Sequence, residues 1–485
     1  METHPSKSKL RMQTRVLQNT AASLGGRGIS IVLSAGASIL LTRYLGSERL
    51  GQFGAIYAYL GLFTWITTLG IEPVLVREIS KERGSASSLL HTAILLTSLL
   101  SIGALLATIL VAPWAGFSDH LRTLLIFAGL EFILIPFRLP AIIFQVDLRQ
   151  WYPATINVVR QGVWFGIVII LWLAGASLVY VIVGRLLAAA VESSLTWAYS
   201  RQFLSAEKRF LRERSGKILL HSIPIAFTSL LSMVYLRIDQ VMLHKMASDF
   251  VLGQYVASVR VSELFEFLPA ALILSMAPVL SVSVDEPHLF RDYTDKLFRY
   301  FMIMASGICV FISAGSGLIV RVLYGKQFLP AGPLLAVLIW SEIAVFFATV
   351  VYNVLIAKNQ QWLLPIPTLV GAAINIALNL VLIPKYDAAG AAWATLISYT
   401  VAWTAVLCFF KETRAVIWQG LRFALPLTGL ALFAVGCSAL IPAQSIVRIL
   451  VASGVFGLSI WLTNFIESSD LTDAYMIARQ SFRGN

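Results

Sequence analysis

The sequence predicts an all-α integral membrane protein with about 14 transmembrane helices. Of the 485 residues, 58% are hydrophobic and 13% are charged, whereas an ordinary soluble domain carries about 25% charged residues. The hydrophobic residues form blocks of roughly 20 that are apolar on every helical face, which suits a helix surrounded by lipid. Strand-length segments that alternate lipid-facing and polar residues are absent, so the spans are predicted as helices rather than as a barrel.

The apolar blocks define the candidate spans in chain order. They cover 22–42, 51–70, 88–112, 121–143, 154–174, 177–199, 217–237, 251–280, 298–320, 331–357, 362–383, 388–410, 423–441 and 446–466. The polar stretch QFLSAEKRFLRERSGK at 202–217 is the strongest interruption. We therefore predict five segments: a basic N-terminus at 1–21, an N-terminal lobe at 22–201, a cytoplasmic linker at 202–217, a C-terminal lobe at 218–411, and two last helices with a cytoplasmic C-terminus at 412–485.

The distribution of lysine and arginine predicts the orientation of the chain. Most of the loop charges, Arg138 among them, fall on the side that also holds both termini, and cytoplasmic loops are the ones enriched in positive charge. Both termini are therefore predicted to be cytoplasmic. The net charge of +12 is explained by this topology and by attraction to anionic lipid headgroups, so no nucleic-acid partner is expected. The first apolar block lacks a small-residue cleavage site and is interpreted as a transmembrane helix rather than a signal peptide.

The sequence contains no pattern typical of a soluble enzyme. Its three cysteines, Cys309, Cys408 and Cys437, lie in apolar segments, and its six histidines are scattered without metal-ligand spacing. A nucleotide-binding lysine loop, a nucleophile elbow and a dinucleotide-binding glycine motif are all absent. We therefore predict no catalytic residues, no metal site and no cofactor.

An internal repeat predicts two related halves. LGQFGAIYAYLGLF at 50–63 and LGQYVASVRVSELF at 252–265 align without gaps, and Gly51 pairs with Gly253 in the alignment. Six spans separate the starts of the two copies, so both copies have the same orientation in the membrane. A parallel six-helix repeat is typical of transporters whose two lobes rock about a central cavity. Chance similarity between two sequences rich in leucine and alanine is the alternative.

The second copy of the repeat carries charges that the first copy lacks. Arg260, Glu263 and Glu266 replace Ala58, Gly61 and Thr64 of the first copy. Their spacing of three places them on one side of a helix. A charge at the bilayer centre costs at least about 2.5–3.5 kcal/mol, so each needs a wet cavity or a partner. Lining of a cavity and a self-neutralising Arg260–Glu263 pair both account for the pattern.

Three more arginines lie inside predicted spans. Arg27 follows Gly25 and Gly26 and precedes Gly28, and we expect these glycines to admit a neighbouring helix. Arg27 could line a cavity or extend to the lipid headgroups. Arg160 and Arg185 lie in the fifth and sixth spans, and Arg185 has Glu192 two turns further on as a possible ion-pair partner.

Acidic and amide side chains complete the set of polar residues inside the spans. Asp239 is close to Arg237, which favours a surface ion pair over an ion-coupling site. Glu131 and Glu342 could relay protons or hold sodium, or each could be satisfied by a neighbouring helix. Asn375 and Asn379 share a helical face and are best interpreted as interhelical hydrogen-bonding residues.

Two longer stretches resemble a known family. LLTRYLGSERLGQFGAIYAYLGLFTWITTLGIEPVLVREISKE at 40–82 and INIALNLVLIPKYDAAGAAWATLISY at 374–399 resemble bacterial polysaccharide flippases, the Wzx-like branch of the MATE/MOP superfamily. The resemblance implies two facing six-helix lobes, two additional C-terminal helices, and location in the bacterial cytoplasmic membrane. It also implies export of an undecaprenyl-diphosphate-linked oligosaccharide to the outer leaflet by alternating access, as in O-antigen synthesis. Asp387 stands where the family often has glycine.

The resemblance also implies roles for particular residues. Related flippases of lipid-linked peptidoglycan precursors have cavity-lining arginines in helices 1 and 8, the helices that hold Arg27 and Arg260 here. A diphosphate needs several donors, and guanidinium groups bind such oxygens in pairs without losing their proton. We therefore predict Arg27, Arg260, Arg160 and Arg185 as diphosphate-binding residues, and Glu263, Glu266, Glu131 and Asp239 as polar or ion-coupling residues. The expected partners are the lipid-linked oligosaccharide, the bilayer, a polysaccharide polymerase and a chain-length regulator.

Three other functions stay open at this point. A cation-coupled drug exporter of the same superfamily would need a cavity dominated by carboxylates. A membrane-embedded polysaccharide polymerase or ligase would be an enzyme, and such proteins generally carry a longer outer loop than any predicted here. A non-transporting scaffold of a polysaccharide assembly complex has no distinguishing sequence feature.

Overall fold

The part of the chain that the structure describes is predominantly helical. This computed structural model describes residues 7–204, 209–442 and 445–465, and no strand occurs within these ranges. The helices are α1 (Lys7–Thr68), α2 (Ile71–Lys81), α3 (Ala86–Val111), α4 (Asp119–Gly129), α5 (Glu131–Leu134), α6 (Ile142–Val146), α7 (Trp151–Ala174), α8 (Leu178–Ser200), α9 (Arg212–Met246), α10 (Asp249–Ser262), α11 (Phe267–Val282), α12 (Pro287–Tyr324), α13 (Ala331–Leu338), α14 (Ser341–Ala357), α15 (Pro365–Trp403), α16 (Ala405–Cys408), α17 (Lys411–Cys437) and α18 (Ile446–Leu462). Short 3-10 segments join several of them.

The chain divides into two compact units. Unit 1 is Met1–Val256 and unit 2 is Ala257–Asn485, so the division falls inside α10. The predicted lobes, which meet at the linker 202–217, stay a prediction, and residues 205–208 of that linker lie outside the described residues.

The core of unit 1 is built around the short helix α2. Its apolar residues Ile71, Val74, Leu75 and Ile79 recur at helical spacing and are all buried. They belong to one cluster with buried residues of α3, α6 and α9, namely Leu89, Leu90, Ile142, Ile143 and Ile218. Burial of each such side chain contributes roughly 1.5–3 kcal/mol, so this cluster holds the ends of four helices together.

The core of unit 2 is built around the long helix α12, which packs against α13, α14, α17 and α18. Phe298 of α12 and Phe347 of α14 are buried, with ring centroids 5.1 Å apart. Gly420 of α17 lies against both rings, and a Cβ there would approach a ring carbon of Phe298 to 2.6 Å. Aromatic pairs at this separation attract one another beyond the area they bury, so a small residue on α17 favours the packing.

The helices have the length and surface of a multi-pass membrane protein. Among the described residues, ten helices are long and apolar enough to cross a bilayer, and one shorter apolar helix spans Ile446–Leu462. Large apolar side chains remain exposed along them; Leu99, Leu106 and Leu110 on α3 are each more than half exposed. Acyl chains are as apolar as leucine, so this exposure costs little in lipid.

Two of these long helices contain sharp internal bends where the sequence predicts a boundary between spans. Gly46 in α1 has φ 70° and ψ 177°, and Asp387 in α15 has φ 49° and ψ −131°. Each bend interrupts a helix that covers two of the predicted spans. The number of predicted spans, fourteen, therefore exceeds the number of long apolar helices among the described residues, ten. Part of the difference arises because the chain turns at a single residue, rather than through a loop, at each of these two bends.

The internal repeat has a direct structural explanation within unit 1. The two glycines of the repeat, Gly51 on α1 and Gly253 on α10, lie where these helices cross. A Cβ on Gly51 would overlap the carbonyl oxygen of Asp249, and a Cβ on Gly253 would overlap that of Ser47. Each copy of the repeat therefore supplies the small residue that lets the other copy approach.

A hydrogen-bond cluster fixes this crossing. Ser47 Oγ donates to the carbonyl oxygen of Phe250 at 2.8 Å and accepts from Gln254 Nε2 at 3.0 Å. Gln254 and Ser47 are buried, so these polar groups have few other partners. The glutamine of the second copy is therefore a structural residue.

The paired asparagines of α15 also fulfil their predicted role. Asn379 Nδ2 donates to Asn375 Oδ1 at 2.8 Å, and Asn375 Nδ2 donates to Ser398 Oγ at 3.2 Å. Asn375 and Ser398 lie on opposite sides of the bend at Asp387. The hydrogen bonds thus join the two parts of α15, which confirms the interhelical interpretation.

Candidate anion-binding site

Two segments of unit 1 each carry one glutamate and one arginine, and the order of the two charges along the chain is reversed between the segments. Glu131 precedes Arg138 by seven residues, and on α8 Arg185 precedes Glu192 by seven residues. Seven residues is two α-helical turns, so Arg185 and Glu192 project from one face of α8. Glu131 lies beside Arg185 and Arg138 lies beside Glu192, which means that the two segments run parallel.

The segment that carries Arg138 is not an ordinary α-helix. Residues Ile135–Ala141 form a 3-10 helix between α5 and α6. Pro136 and Pro140 lack the backbone N–H that an α-helix would use there, which favours the irregular winding. This segment packs against α8 and places Arg138 within reach of both glutamates.

Five side chains form one continuous cluster, which we call the charge network: Glu131, Arg138, Arg160, Arg185 and Glu192. Arg138 Nη2 is 3.5 Å from Glu131 Oε1, and Arg138 Nε is 3.3 Å from Glu192 Oε2. Arg160 Nε, from α7, is 3.6 Å from Glu192 Oε2, and Arg185 Nε is 3.5 Å from Glu131 Oε2. The network combines three positive charges with two negative charges, so its formal charge is +1.

The arginines of the charge network are incompletely satisfied. Arg138 Nη2, Arg160 Nε and Arg185 Nε are buried atoms that make no hydrogen bond to a described residue. Charge-assisted hydrogen bonds between guanidinium and carboxylate groups are usually about 2.7–2.9 Å long, shorter than the contacts here. The glutamates therefore balance the charge of the arginines but accept no hydrogen bond from these three nitrogens.

Neighbouring residues hold the network in place. Arg160 Nη2 donates to Asn157 Oδ1 at 3.0 Å, and the guanidinium of Arg185 lies 4.2 Å from the ring centroid of Tyr57 on α1. Ser193 Oγ donates to the carbonyl oxygen of Leu134 at 3.1 Å, which joins α8 to α5. The side chains of the network are 22–40% exposed, although the three unsatisfied nitrogens are themselves buried.

Sequence reasoning assigned part of this cluster wrongly. The predicted pairing of Arg185 with Glu192 is wrong, because two turns of helix separate them by roughly 10 Å along the axis and Glu131 is closer. Arg138 was expected in a loop, whereas it lies in a helical segment and contacts both glutamates. Glu131 and Arg138 occur in the opposite order to Arg185 and Glu192, with the same spacing of seven residues. This pattern in the sequence is the signal that identifies the network.

Arg27 stands apart from the charge network. It is exposed on α1 and forms no ion pair with a described side chain. Of the three glycines beside it, only Gly26 faces another helix; a Cβ there would lie 3.0 Å from Ala154 Cβ of α7, whereas Gly25 and Gly28 have open space. The expected close approach is therefore confirmed at one of the three glycines.

In unit 2, the charged residues near the end of α10 lie close to a buried glutamate. Glu342 of α14 is 2% exposed, and its Oε1 accepts from Ser262 Oγ at 3.0 Å. Its other oxygen, Oε2, has no hydrogen-bond partner among the described residues. Glu266 and Glu263 are near enough to act on Glu342 electrostatically, and Arg260 acts in the same way on Tyr324.

Asp239 is buried, whereas a position at the surface was expected. It is 6% exposed, and the hydroxyl of Tyr255 donates to its Oδ2. Its Oδ1 accepts from the backbone N–H of Gln240 at 2.7 Å. Asp239 is therefore a buried carboxylate of unit 1, and its role in ion coupling stays a prediction.

Comparison with known structures identifies proteins of similar fold. The fold is similar to that of a lipid II flippase, MurJ, in an inward closed conformation, with a TM-score of 0.71, 16% identity, and coverage of 92% of this chain and 99% of that chain. It is also similar to an inward-facing multidrug resistance MATE transporter of the MOP superfamily, with a TM-score of 0.63, 14% identity, and coverage of 84% and 99%. The chain thus shares the fold of these two proteins.

Sequence comparison identifies the family. The family model described as polysaccharide biosynthesis protein matches residues 16–284, more than half of the chain. This protein belongs to that family, which confirms the Wzx-like resemblance predicted from 40–82 and 374–399.

The curated relatives are archaeal. A probable low-salt glycan biosynthesis flippase of Haloferax volcanii is 24% identical over 77% of this chain and 79% of its own length. The probable flippase AglR of the same organism is 28% identical over 75% of this chain and 77% of its own length. A shorter match, 24% identical, covers 24% of this chain and 23% of an uncharacterized membrane protein of Methanocaldococcus jannaschii.

Proposed function

We propose that this protein is a flippase that moves an undecaprenyl-diphosphate-linked oligosaccharide from the inner to the outer leaflet of the bacterial cytoplasmic membrane. The observation that carries the proposal is the charge network, where three arginines offer buried donors that two glutamates leave unused. A diphosphate carries negative charge and several acceptor oxygens, and such oxygens are the hydrogen-bond partners that these donors lack. Membership of the polysaccharide biosynthesis family supports the glycan part of the substrate.

The proposal includes the topology that the sequence predicts. Fourteen helices form two six-helix lobes and two additional helices, with both termini cytoplasmic, and the substrate crosses by alternating access. Arg27, Arg160, Arg185 and Arg260 are each proposed as residues that bind the diphosphate. The exported unit would then be used by a polymerase and a chain-length regulator in surface-polysaccharide synthesis.

One observation favours a second candidate, a cation-coupled drug exporter. Glu263 and Glu266 lie within electrostatic range of the buried Glu342 in unit 2, so three carboxylates lie near one another. A site rich in carboxylates suits a cationic substrate. The two candidates differ in the sign of the charge they carry, and the next experiment separates them.

Export of lipid-linked oligosaccharide tests the proposal in a strain that lacks this protein. We expect the intermediate to accumulate on the inner leaflet, and wild type to clear it. Arg185→Ala and Arg260→Ala should each lower export at least about tenfold, since loss of a charge-assisted contact costs about 1.5–3 kcal/mol. Arg122→Ala is the matched control, because Arg122 forms an exposed pair with Asp119 and such pairs contribute little.

The outcomes distinguish the candidates. An intermediate that is unaffected by deletion contradicts the flippase, and deletion that sensitises cells to cationic drugs instead would favour the exporter. Full export by both arginine variants would show that these arginines are structural.

A further inference from the structure

The two glutamates of the charge network are poor partners for its arginines. The four ion-pair contacts measure 3.3–3.6 Å, and three buried guanidinium nitrogens make no hydrogen bond to a described residue. A permanent structural salt bridge would satisfy these donors, because unused buried donors cost free energy. The geometry instead balances charge while leaving these buried donors without hydrogen bonds.

Every element around the network contributes to this balance. Glu131 comes from α5, Arg138 from Ile135–Ala141, Arg160 from α7, and Arg185 and Glu192 from α8. Tyr57 of α1 covers Arg185. Without the glutamates the site would carry three uncompensated positive charges within the hydrophobic span of the protein, which is costly in an apolar surrounding.

We propose that Glu131 and Glu192 are internal counter-anions, which neutralise the three arginines when the site is empty and which the diphosphate of the substrate displaces. This inference rests on the proposed function and adds a release mechanism to it. The diphosphate supplies several acceptor oxygens for Arg138, Arg160 and Arg185. The glutamates stay tethered beside the site and compete for the same guanidinium groups.

Competition of this kind suits a carrier. A transporter must bind its anion and then release it. A tethered carboxylate lowers the affinity for the anion, while the guanidinium groups still recognise its phosphate oxygens. The prediction is therefore opposite in sign to that for an ordinary binding residue. Neutralising a glutamate should strengthen anion binding and slow export.

The test uses the purified full chain in nanodiscs of phosphatidylcholine, titrated with inorganic pyrophosphate by calorimetry. Glu131→Gln and Glu192→Gln should each tighten binding roughly 2- to 5-fold, the effect of removing one partly exposed charge. Arg138→Gln should weaken binding by a similar factor, and Arg138→Lys should restore part of it. Glu213→Gln, an exposed glutamate in the first turn of α9, should leave binding unchanged.

Two further arms make the result specific. Adding phosphatidylglycerol to the nanodiscs tests whether a phospholipid headgroup occupies the site; if it abolishes pyrophosphate binding by wild type, the site is a lipid site and the proposal is wrong. Export by the same variants is measured in the deletion strain. Slower export by the glutamine variants, together with tighter pyrophosphate binding, supports the proposal.

The remaining outcomes separate this inference from the proposed function. If wild type exports oligosaccharide but the glutamine variants bind pyrophosphate no more tightly, the glutamates are structural and only the counter-anion inference fails. If the glutamine variants bind more tightly but wild type exports nothing, the anion site stands and the flippase proposal fails. Monodisperse elution of each variant shows that a lost signal reflects the site rather than misfolding.

Discussion

Asp387 occupies a backbone conformation that favours glycine. Its φ of 49° with ψ of −131° lies outside the regions that side chains prefer, and such conformations cost about 1–3 kcal/mol. The side chain is exposed and makes no hydrogen bond to a described residue. The departure from glycine at this position, already visible in the sequence, therefore carries a local strain.

Replacing this aspartate should relieve the strain. We expect Asp387→Gly to raise the free energy of unfolding by about 1 kcal/mol, since glycine adopts positive φ without a steric penalty. Thermal unfolding in detergent, followed by tryptophan fluorescence, measures the change. Ala389→Gly, two residues further along α15, is the control and should lower the midpoint because glycine disfavours a helix. A lower midpoint for Asp387→Gly would contradict the assignment of strain.

At the scale of helices, the crossing of α1 and α10 depends on two glycines. Each lies against a backbone carbonyl of the other helix, and Ser47 and Gln254 hydrogen-bond across the crossing. Backbone groups cannot move aside as a side chain can, so the crossing has no room for a methyl group.

Adding one methyl group should therefore separate these helices. We expect Gly51→Ala and Gly253→Ala each to lower the free energy of unfolding by about 1–3 kcal/mol, the usual cost of overpacking. Gly103→Ala on α3 is the matched control, since no heavy atom lies within 4 Å of its added Cβ, and alanine should raise the midpoint by favouring the helix. The measurement is again the unfolding midpoint in detergent. Equal midpoints for all three variants would show that the crossing tolerates a methyl group.

For the molecule as a whole, the sign of the transported charge predicts how export is driven. An outward-moving diphosphate carries negative charge toward the positive side of the membrane. Each charge gains up to about 2.3 kcal/mol per 100 mV. The membrane potential alone could thus drive the proposed cycle.

Proteoliposomes test this dependence with a potential set by potassium and valinomycin. We expect the rate of translocation to rise when the side that holds the substrate is negative, and to fall when the potential is reversed. Protein-free liposomes give the background rate. Translocation that responds neither to potential nor to proton or sodium gradients would contradict this mechanism.

Much of the architecture could be predicted because it depends on local composition. The described residues form long apolar helices and no strands, as the apolar blocks predict. The bends at Gly46 and Asp387 fall where the sequence predicts boundaries between spans. The sequence also predicted an internal repeat, since the segments 50–63 and 252–265 are similar. Residue type and spacing suffice for such features.

The charge network was decided by tertiary structure. Whether Arg185 pairs with Glu192 on its own helix or with Glu131 on another depends on which helices are neighbours and on their relative shift, and no pattern within one helix specifies this. The role of Gly51 and Gly253 likewise became clear only where two helices cross. The sequence alone determined a helical membrane protein with arginines inside its predicted spans. Only the packing of helices decided which charges meet, because contacts between residues distant in the chain depend on the arrangement of whole helices.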